Sequence, residues 1–308
     1  MYRLEPILRP MVWGSELWVL SGYPERMSVV ADGPYKGLTI NQLVAREKER
    51  LLGRENYRRF GDEFPLLVKF LDVHAPLSIQ VHPSEEFAQA RQGLHGKTEM
   101  WYVMDADPDS RIAYGLHHTI GRDQFLQAVE NGTVEKYLQM VPVRKNDLFF
   151  IQPGTVHAIG AGCLIAEIQQ SSNLTYRLYD YGRTDRNGKR RPLHLEKGLA
   201  VANLESMPEP RQPMRLLRYS GGTASELLCR CRYFQVERVL VNTEQRREMA
   251  AFRPSSESFE IFLFLNGCGS MFCRDSMLQF FKGDCVFVPA GAEEIRLHAR
   301  TVFLRISC

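Results

Sequence analysis

Four residues in three short segments carry donor atoms of the kinds that bind divalent metals. Gln80 and His82 lie two apart in Ser78-Ile-Gln-Val-His-Pro83. On a strand they project to one face, and Pro83 then ends the ladder. Glu99 opens the apolar run Met100–Met104, and His157 follows the turn residues Pro153-Gly154. Two imidazoles, a carboxylate and an amide oxygen brought together make a zinc or other divalent-metal site with positions left open. A single buried histidine is more often a hydrogen-bonded packing residue, so the reading rests on two of them with Glu99 between. The other histidines, His74, His95, His117, His118, His194 and His298, have no such setting and read as surface or packing residues. His95 stands apart only in lying near Lys97 and Glu99. Two cations accompany the cluster. Lys97 is two positions before Glu99 and shares its face if the strand begins that early. Arg177 sits in Thr175-Tyr-Arg-Leu-Tyr179, where alternate positions face inward. A guanidinium in a core is costly unless paired. It is either a structural partner of an acid such as Glu167 or a contact for an anion or oxyanion, and periodicity does not choose.

The elements that must bring these segments together are mainly short strands between turn residues. Phe64–Phe70, Leu77–Val81, Met100–Met104, Leu148–Ile151, Leu164–Ile168 and Tyr176–Tyr179 read as strands, as do Ile261–Leu265, Met271–Cys273, Leu278–Phe281, Cys285–Val288 and Val302–Ile306. Helical periodicity is confined to Thr39–Leu52, to Gly121–Met140 with a break near Asn131-Gly132, and to Leu195–Leu204. The pattern predicts a mainly β sandwich or barrel with helical insertions.

An internal repeat sharpens this. Lys145-Asn-Asp-Leu-Phe-Phe-Ile-Gln-Pro-Gly154 aligns without a gap on Lys282-Gly-Asp-Cys-Val-Phe-Val-Pro-Ala-Gly291, and Lys97-Thr-Glu-Met-Trp-Tyr102 aligns on Ser258-Phe-Glu-Ile-Phe-Leu263. A tight Asp turn, a buried strand and a Pro/Gly turn resemble the second half-motif of a cupin, so two jelly-roll barrels are expected. Residues 1–225 would form the catalytic barrel with its helical insertions, and residues 226–308 the second. The second copy has Glu294 at the position of His157, and nothing like Gln80-Val-His82 precedes Glu260. It is expected to be structural and free of metal.

Composition narrows the class. The 308 residues are 44% hydrophobic and 24% charged, which excludes a disordered chain, a collagen-like fibre and a coiled coil. No apolar run approaches the roughly 18 residues of a membrane-spanning helix, and Arg3, Glu5 and Arg9 leave no signal-peptide core. A cytoplasmic protein with no membrane partner is expected. The 39 basic and 36 acidic residues give 39 − 36 = +3, and no DNA-binding motif accompanies them, so nucleic acid is not expected as a partner. The densest basic stretch, residues 183–191, centres on Asn187-Gly188 and reads as a solvated turn. Seven cysteines without paired spacing fit reduced, structural thiols.

Several runs are similar to type I mannose-6-phosphate isomerase in its short bacterial form. They are Phe64-Pro-Leu-Leu-Val-Lys-Phe-Leu-Asp72, Leu77-Ser-Ile-Gln-Val-His-Pro83, Gly96-Lys-Thr-Glu-Met-Trp-Tyr102, Pro153-Gly-Thr-Val-His-Ala-Ile159 and Glu167-Ile-Gln-Gln-Ser-Ser-Asn-Leu-Thr-Tyr-Arg177. Weaker echoes run from Trp13-Gly14 and Ser28 through Gly37-Leu-Thr-Ile40 to Asp180-Tyr-Gly-Arg183, so the likeness spans residues 1 to about 205. It implies an isomerase of mannose 6-phosphate and fructose 6-phosphate holding one Zn2+ per chain. His82, Glu99 and His157 would be ligands, Gln80 a possible fourth, Arg177 the active-site arginine and Lys97 an acid/base participant. Asn173 stands where the family often has Asp, and Ser84-Glu85 where Asp-Asp or Asp-Glu is common. Moving a proton between C1 and C2 through an enediolate suits a Lewis-acid metal, an oxyanion-stabilising arginine, and a lysine lowered toward neutrality by burial and the metal. No glycine-rich phosphate loop is present, which leaves Lys69, Ser78 and the 183–191 loop as candidates for a phosphate. Two other readings remain at this point, a sugar-phosphate-binding cupin without turnover and an Fe(II) cupin oxygenase.

Overall fold

The computed structural model describes residues 1–184, 187–208, 210 and 215–308. Asp185 and Arg186, within the basic stretch, lie outside the described residues. The chain divides into two compact units interleaved in sequence: Met1–Ile7, Val19–Leu66 and Pro213–Cys308 make one, and Leu8–Trp18 with Leu67–Gln212 make the other. A cut after residue 225 falls inside the strand Thr223–Arg230 of the first of these.

The unit containing residues 67–212 carries two antiparallel sheets. Six strands run in the order Ile7–Met11, Gly14–Ser21, Leu66–Val73, Cys163–Gln170, Glu99–Ala106, Leu148–Ile151. Five run in the order Tyr176–Tyr179, Ile79–Val81, His157–Ile159, Arg111–Leu116, Leu138–Pro142. Trp101, Phe149, Ile151 and Ile165 fill the core with Ile112 and Ile159. The other unit builds a nine-stranded sheet whose centre is Cys285–Val288, Glu260–Cys273, Ile295–Ser307 and Gln235–Asn242. Its interior is aromatic, with Phe264 stacked on Phe280 at 3.7 Å between ring centres and Phe262 on Phe303 at 5.1 Å.

The sequence repeat is a repeat of register. Glu99 pairs with Ile151 and Met100 with Ile168; in the other unit Glu260 pairs with Val288 and Ile261 with Ile306. The side chains at matching positions differ. Glu260 is buried against Arg305, whose Nε donates to Oε2 at 2.9 Å. Glu294, at the position of His157, lies on the surface against Arg253 and Arg296 at 3.2 and 3.0 Å.

The helical expectations are corrected in detail. Thr39–Leu52 is two helices, Ile40–Glu47 and Glu49–Leu52, because Lys48 takes a left-handed φ of 52°. Of Gly121–Met140 only Arg122–Glu130 is an α-helix. Gly132, at φ 65°, turns the chain, and a single 3-10 turn leads into the strand Leu138–Pro142. The third helix stops at Leu199. A helix not anticipated, Glu85–Gln92, starts where the Ser84 hydroxyl accepts the Phe87 amide at 3.2 Å, an ordinary N-cap.

The runs Ile261–Leu265 and Met271–Cys273 are one long strand with a bulge between Phe264 and Asn266. Gly267 follows the bulge at φ 79°, and a Cβ there would stand 2.0 Å from the Arg300 carbonyl oxygen. Gly267→Ala is therefore expected to cost at least about 2 kcal/mol, from left-handed strain and backbone overlap together. Urea denaturation of the variant checks it, and a midpoint equal to the parent's would contradict it.

Candidate metal centre and its pocket

Register brings three of the expected residues into one row. Gln80 pairs with His157 on one side and with Arg177 on the other. Directly opposed residues in antiparallel strands share a face, so Arg177, Gln80 and His157 point the same way. His82 follows on the same strand line, held as Gly154 N–H donates to its carbonyl at 2.9 Å. Glu99 arrives from the other sheet.

His82, Glu99 and His157 are fully buried, and one ligand atom from each lies within 4.8 Å of the others. Glu99 Oε1 stands 3.6 Å from His82 Nε2 and 3.5 Å from His157 Nε2. The tautomers follow from the far side of each ring. His82 Nδ1 faces the Leu174 carbonyl at 3.0 Å and His157 Nδ1 the Thr155 carbonyl at 2.8 Å. A carbonyl can only accept, so both Nδ1 atoms carry hydrogen and both Nε2 atoms keep a lone pair on the Glu99 side, His82 Nε2 accepting Lys97 Nζ at 3.2 Å; this is the arrangement that orients imidazole ligands. Glu99 Oε1 is buried without a hydrogen-bond donor among the described residues. A cation between these atoms would satisfy it, so the donor set fits a metal ion. Gln80 turns its amide nitrogen toward His157 Nε2 at 3.3 Å and its oxygen toward Ser78.

The electrostatics favour neutral rings and charged partners. Burial, reinforced by the Lys97 ammonium, pushes His82 down to about 3; burial also lowers His157. Burial alone would raise Glu99, but Lys97, with Nζ 2.7 Å from Oε2, holds it well below the usual carboxylate range. Lys97 is pulled both ways by its surroundings. Burial works downward, but Glu99 and Glu167 outweigh it and its pKa is raised.

Behind Lys97 runs a chain of buried ion pairs that the sequence did not reveal. Glu167 Oε1 takes Lys97 Nζ at 3.9 Å and Lys69 Nζ at 3.1 Å, while its Oε2 accepts Trp101 Nε1 at 3.1 Å. Glu167 is therefore the partner of the two lysines and not of Arg177. Arg177 donates from Nη1 to the Pro192 carbonyl at 3.0 Å, and its Nε is buried with no acceptor among the described residues. Burial, and then Arg191, lower it from its ordinary value. The segment before Lys97 is braced by Glu85, which accepts His95 Nδ1 at 2.9 Å, Gly96 N at 2.8 Å and Gln170 Nε2 at 2.8 Å. That is where His95 is engaged.

A cavity of about 250 Å³ opens beside the cluster, lined by Gln80, Lys97 and Arg177 together with Lys69, Arg9 and Glu16. Ser78, Asn173 and Arg191 also border it. Of the loop 183–191, Arg183 and Arg191 both grip Asp180. Its Asn187-Gly188 turn forms, with Gly188 at φ 74°. Two larger open grooves, each near 900 Å³, have none of these residues. Arg9, Glu16 and Trp18 come from N-terminal strands that Pro10 and Gly14 disguised in the sequence.

Residues 6–119 match the family described as phosphomannose isomerase type I, catalytic domain. The chain is 34% identical over 310 residues to mannose-6-phosphate isomerase ManA of Bacillus subtilis (strain 168), covering 95% of this chain and 94% of that protein. It is 41% identical over 189 residues to the mannose-6-phosphate isomerase of Streptococcus mutans, 61% of this chain and 58% of that one. The crystal structure of a Bacillus subtilis mannose 6-phosphate isomerase superposes with a TM-score of 0.87 at 29% identity over 100% of this chain and 99% of its own. That structure shares the mainly β cupin architecture expected from the repeat. With relatives of this identity matching nearly end to end, the chain belongs to the type I mannose-6-phosphate isomerase family.

Proposed function

We propose that this protein is a zinc-dependent isomerase that interconverts mannose 6-phosphate and fructose 6-phosphate through an enediol. The observation that carries it is the buried His82–Glu99–His157 cluster opening on a pocket with a surplus of cations. His82 and His157 would hold the ion through Nε2 and Glu99 through its carboxylate, with Gln80 able to join after an amide turn. Bound there, zinc supplies Lewis-acid polarisation of the substrate carbonyl.

The chain's own residues do the rest. Arg177, its Nε–H unbonded, is positioned to meet the oxyanion that develops at C1 or C2, and a guanidinium does so without giving up its charge. Lys97, its Nζ 2.7 Å from Glu99 Oε2 and on the pocket wall, is placed to take part in the proton transfer. Ser78, Lys69 and Arg191 border the pocket where a phosphate would lie, and Arg191 is pre-oriented by Asp180, its Nε donating at 2.8 Å. In this reading the chemistry belongs to Leu8–Trp18 and Leu67–Gln212. The seven free cysteines support a reducing, cytoplasmic setting, and no helix among the described residues is long and apolar enough to cross a membrane.

A coupled assay with mannose 6-phosphate tests the reading on protein as purified, after chelation, and after zinc is restored. Turnover is expected to vanish with the metal and return with zinc. A folded, zinc-loaded sample without turnover would remove the isomerase assignment and leave a sugar-phosphate-binding protein.

A further inference from the structure

Glu16 lines the pocket yet takes no part in the metal cluster or in the Glu99–Lys97–Glu167–Lys69 chain. The strand Gly14–Ser21 sets Glu16 and Trp18 on one face, two residues apart. Trp18 Nε1 donates to Glu16 Oε2 at 2.5 Å, and Arg9 Nη1 reaches the same oxygen at 3.3 Å. The Trp18 ring is fully buried and lies near two cations, the Arg9 guanidinium at 4.5 Å and Lys69 Nζ at 5.2 Å from its centre. The carboxylate is thus held in one orientation, 8% exposed, with both of its bonds on a single oxygen. Lys69, whose charge also acts on Glu16, is paired with Glu167 at 3.1 Å.

We propose that Glu16 is a specificity-determining residue, its Oε1 accepting hydrogen bonds from sugar hydroxyls at C3 or C4, remote from the reacting carbons. The inference rests on the isomerase reading. A carboxylate oxygen repels a phosphate but forms a charge-assisted bond with a hydroxyl. Leaving such an oxygen unmatched inside a closed complex carries a desolvation cost. A site built this way rejects an analogue that lacks the hydroxyl far more strongly than one that lacks a methylene.

The experiment compares kcat/KM for mannose 6-phosphate and its 3-deoxy and 4-deoxy analogues in the zinc-loaded parent, Glu16→Gln and Glu16→Asp. The glutamine can keep the Trp18 bond on its oxygen while turning an NH2 into the pocket, and the aspartate keeps the charge but withdraws it by one methylene. In the parent, one deoxy analogue is expected to lose about 30-fold or more. In both variants the parent substrate should lose about 10-fold or more, chiefly in KM, and discrimination against that analogue should shrink to under about 3-fold. A residue with a merely structural role would lower activity toward all three compounds alike. Equal discrimination in parent and variants, or no discrimination in the parent, overturns the inference while leaving the isomerase reading intact. A parent inactive on mannose 6-phosphate itself overturns both. An indifferent parent overturns the inference whether or not the variants fold, because it has no such contact.

Discussion

Glu99→Gln is expected to lose its metal and to fall by about 10³-fold or more in kcat/KM, the scale of several kcal/mol of charge stabilisation at a reacting carbonyl. The side chains are nearly isosteric, so the change is one of charge. Glu99 supplies the negative ligand between two neutral imidazoles, and it is also the 2.7 Å partner of Lys97. Without it the two Nε2 lone pairs face an amide, and Lys97 keeps His82 Nε2 at 3.2 Å and a share of Glu167 at 3.9 Å. Breaking a buried pair typically costs about 3–5 kcal/mol, and the remaining Glu167 contact places this variant toward the lower end. Elemental analysis after dialysis, the coupled assay and urea denaturation give the three readings. Full metal content with activity within tenfold of the parent would exclude Glu99 as a ligand.

Arg177→Lys is expected to lower kcat by about 10²- to 10³-fold, the usual effect of removing one preorganised oxyanion donor, with metal content unchanged. The fork of the guanidinium matters here. One arm is fixed on the Pro192 carbonyl, and the buried Nε–H remains for a ligand. An ammonium can satisfy the carbonyl or the oxyanion, but it has no rigid second arm set at that angle. The same variant separates two roles. An arginine that only binds phosphate would raise KM and spare kcat. An unchanged kcat would therefore move Arg177 from the oxyanion to the phosphate.

The parts of this protein that were legible beforehand are those where local pattern and tertiary pairing agree. The strands Leu148–Ile151, Tyr176–Tyr179 and Cys285–Val288 match their expected bounds, because short apolar or alternating runs closed by turn residues form strands. The repeat foretold the matched registers at Glu99 and Glu260. That His82, Glu99 and His157 come together was legible because they flank such strands and turns. What escaped was decided by partners far away in sequence. Leu138–Pro142 continues a helical period but pairs with Arg111–Leu116. Lys69 reads as an interruption in an apolar run until Glu167, 98 positions on (167 − 69), meets it in the folded chain. Glu16 and Trp18 fall in a strand whose alternation is hidden by Gly14, so the wall they form had no sequence signal beyond Trp18 itself. The direction of the Lys97 shift also needed the structure, since burial and carboxylate neighbours push it in opposite senses.

The interleaving of the two units sets an order on synthesis. Tyr2 pairs with Phe287, 285 positions later (287 − 2). At roughly 5–20 residues per second, the first strand waits about 14–57 s for its partner to leave the ribosome. The segment Val19–Leu66 shares a unit with Pro213–Cys308 and waits as well. The unit that holds the metal cluster needs nothing beyond Gln212. A nascent chain halted there already owns every residue of the pocket, while its early helices still lack the strands with which they form a unit. Ribosome-stalled chains whose own sequence ends on either side of Phe287, each followed by a linker long enough to clear the ribosome, should therefore differ in protease sensitivity over residues 19–66 and be alike over the strands that carry His82, Glu99 and His157.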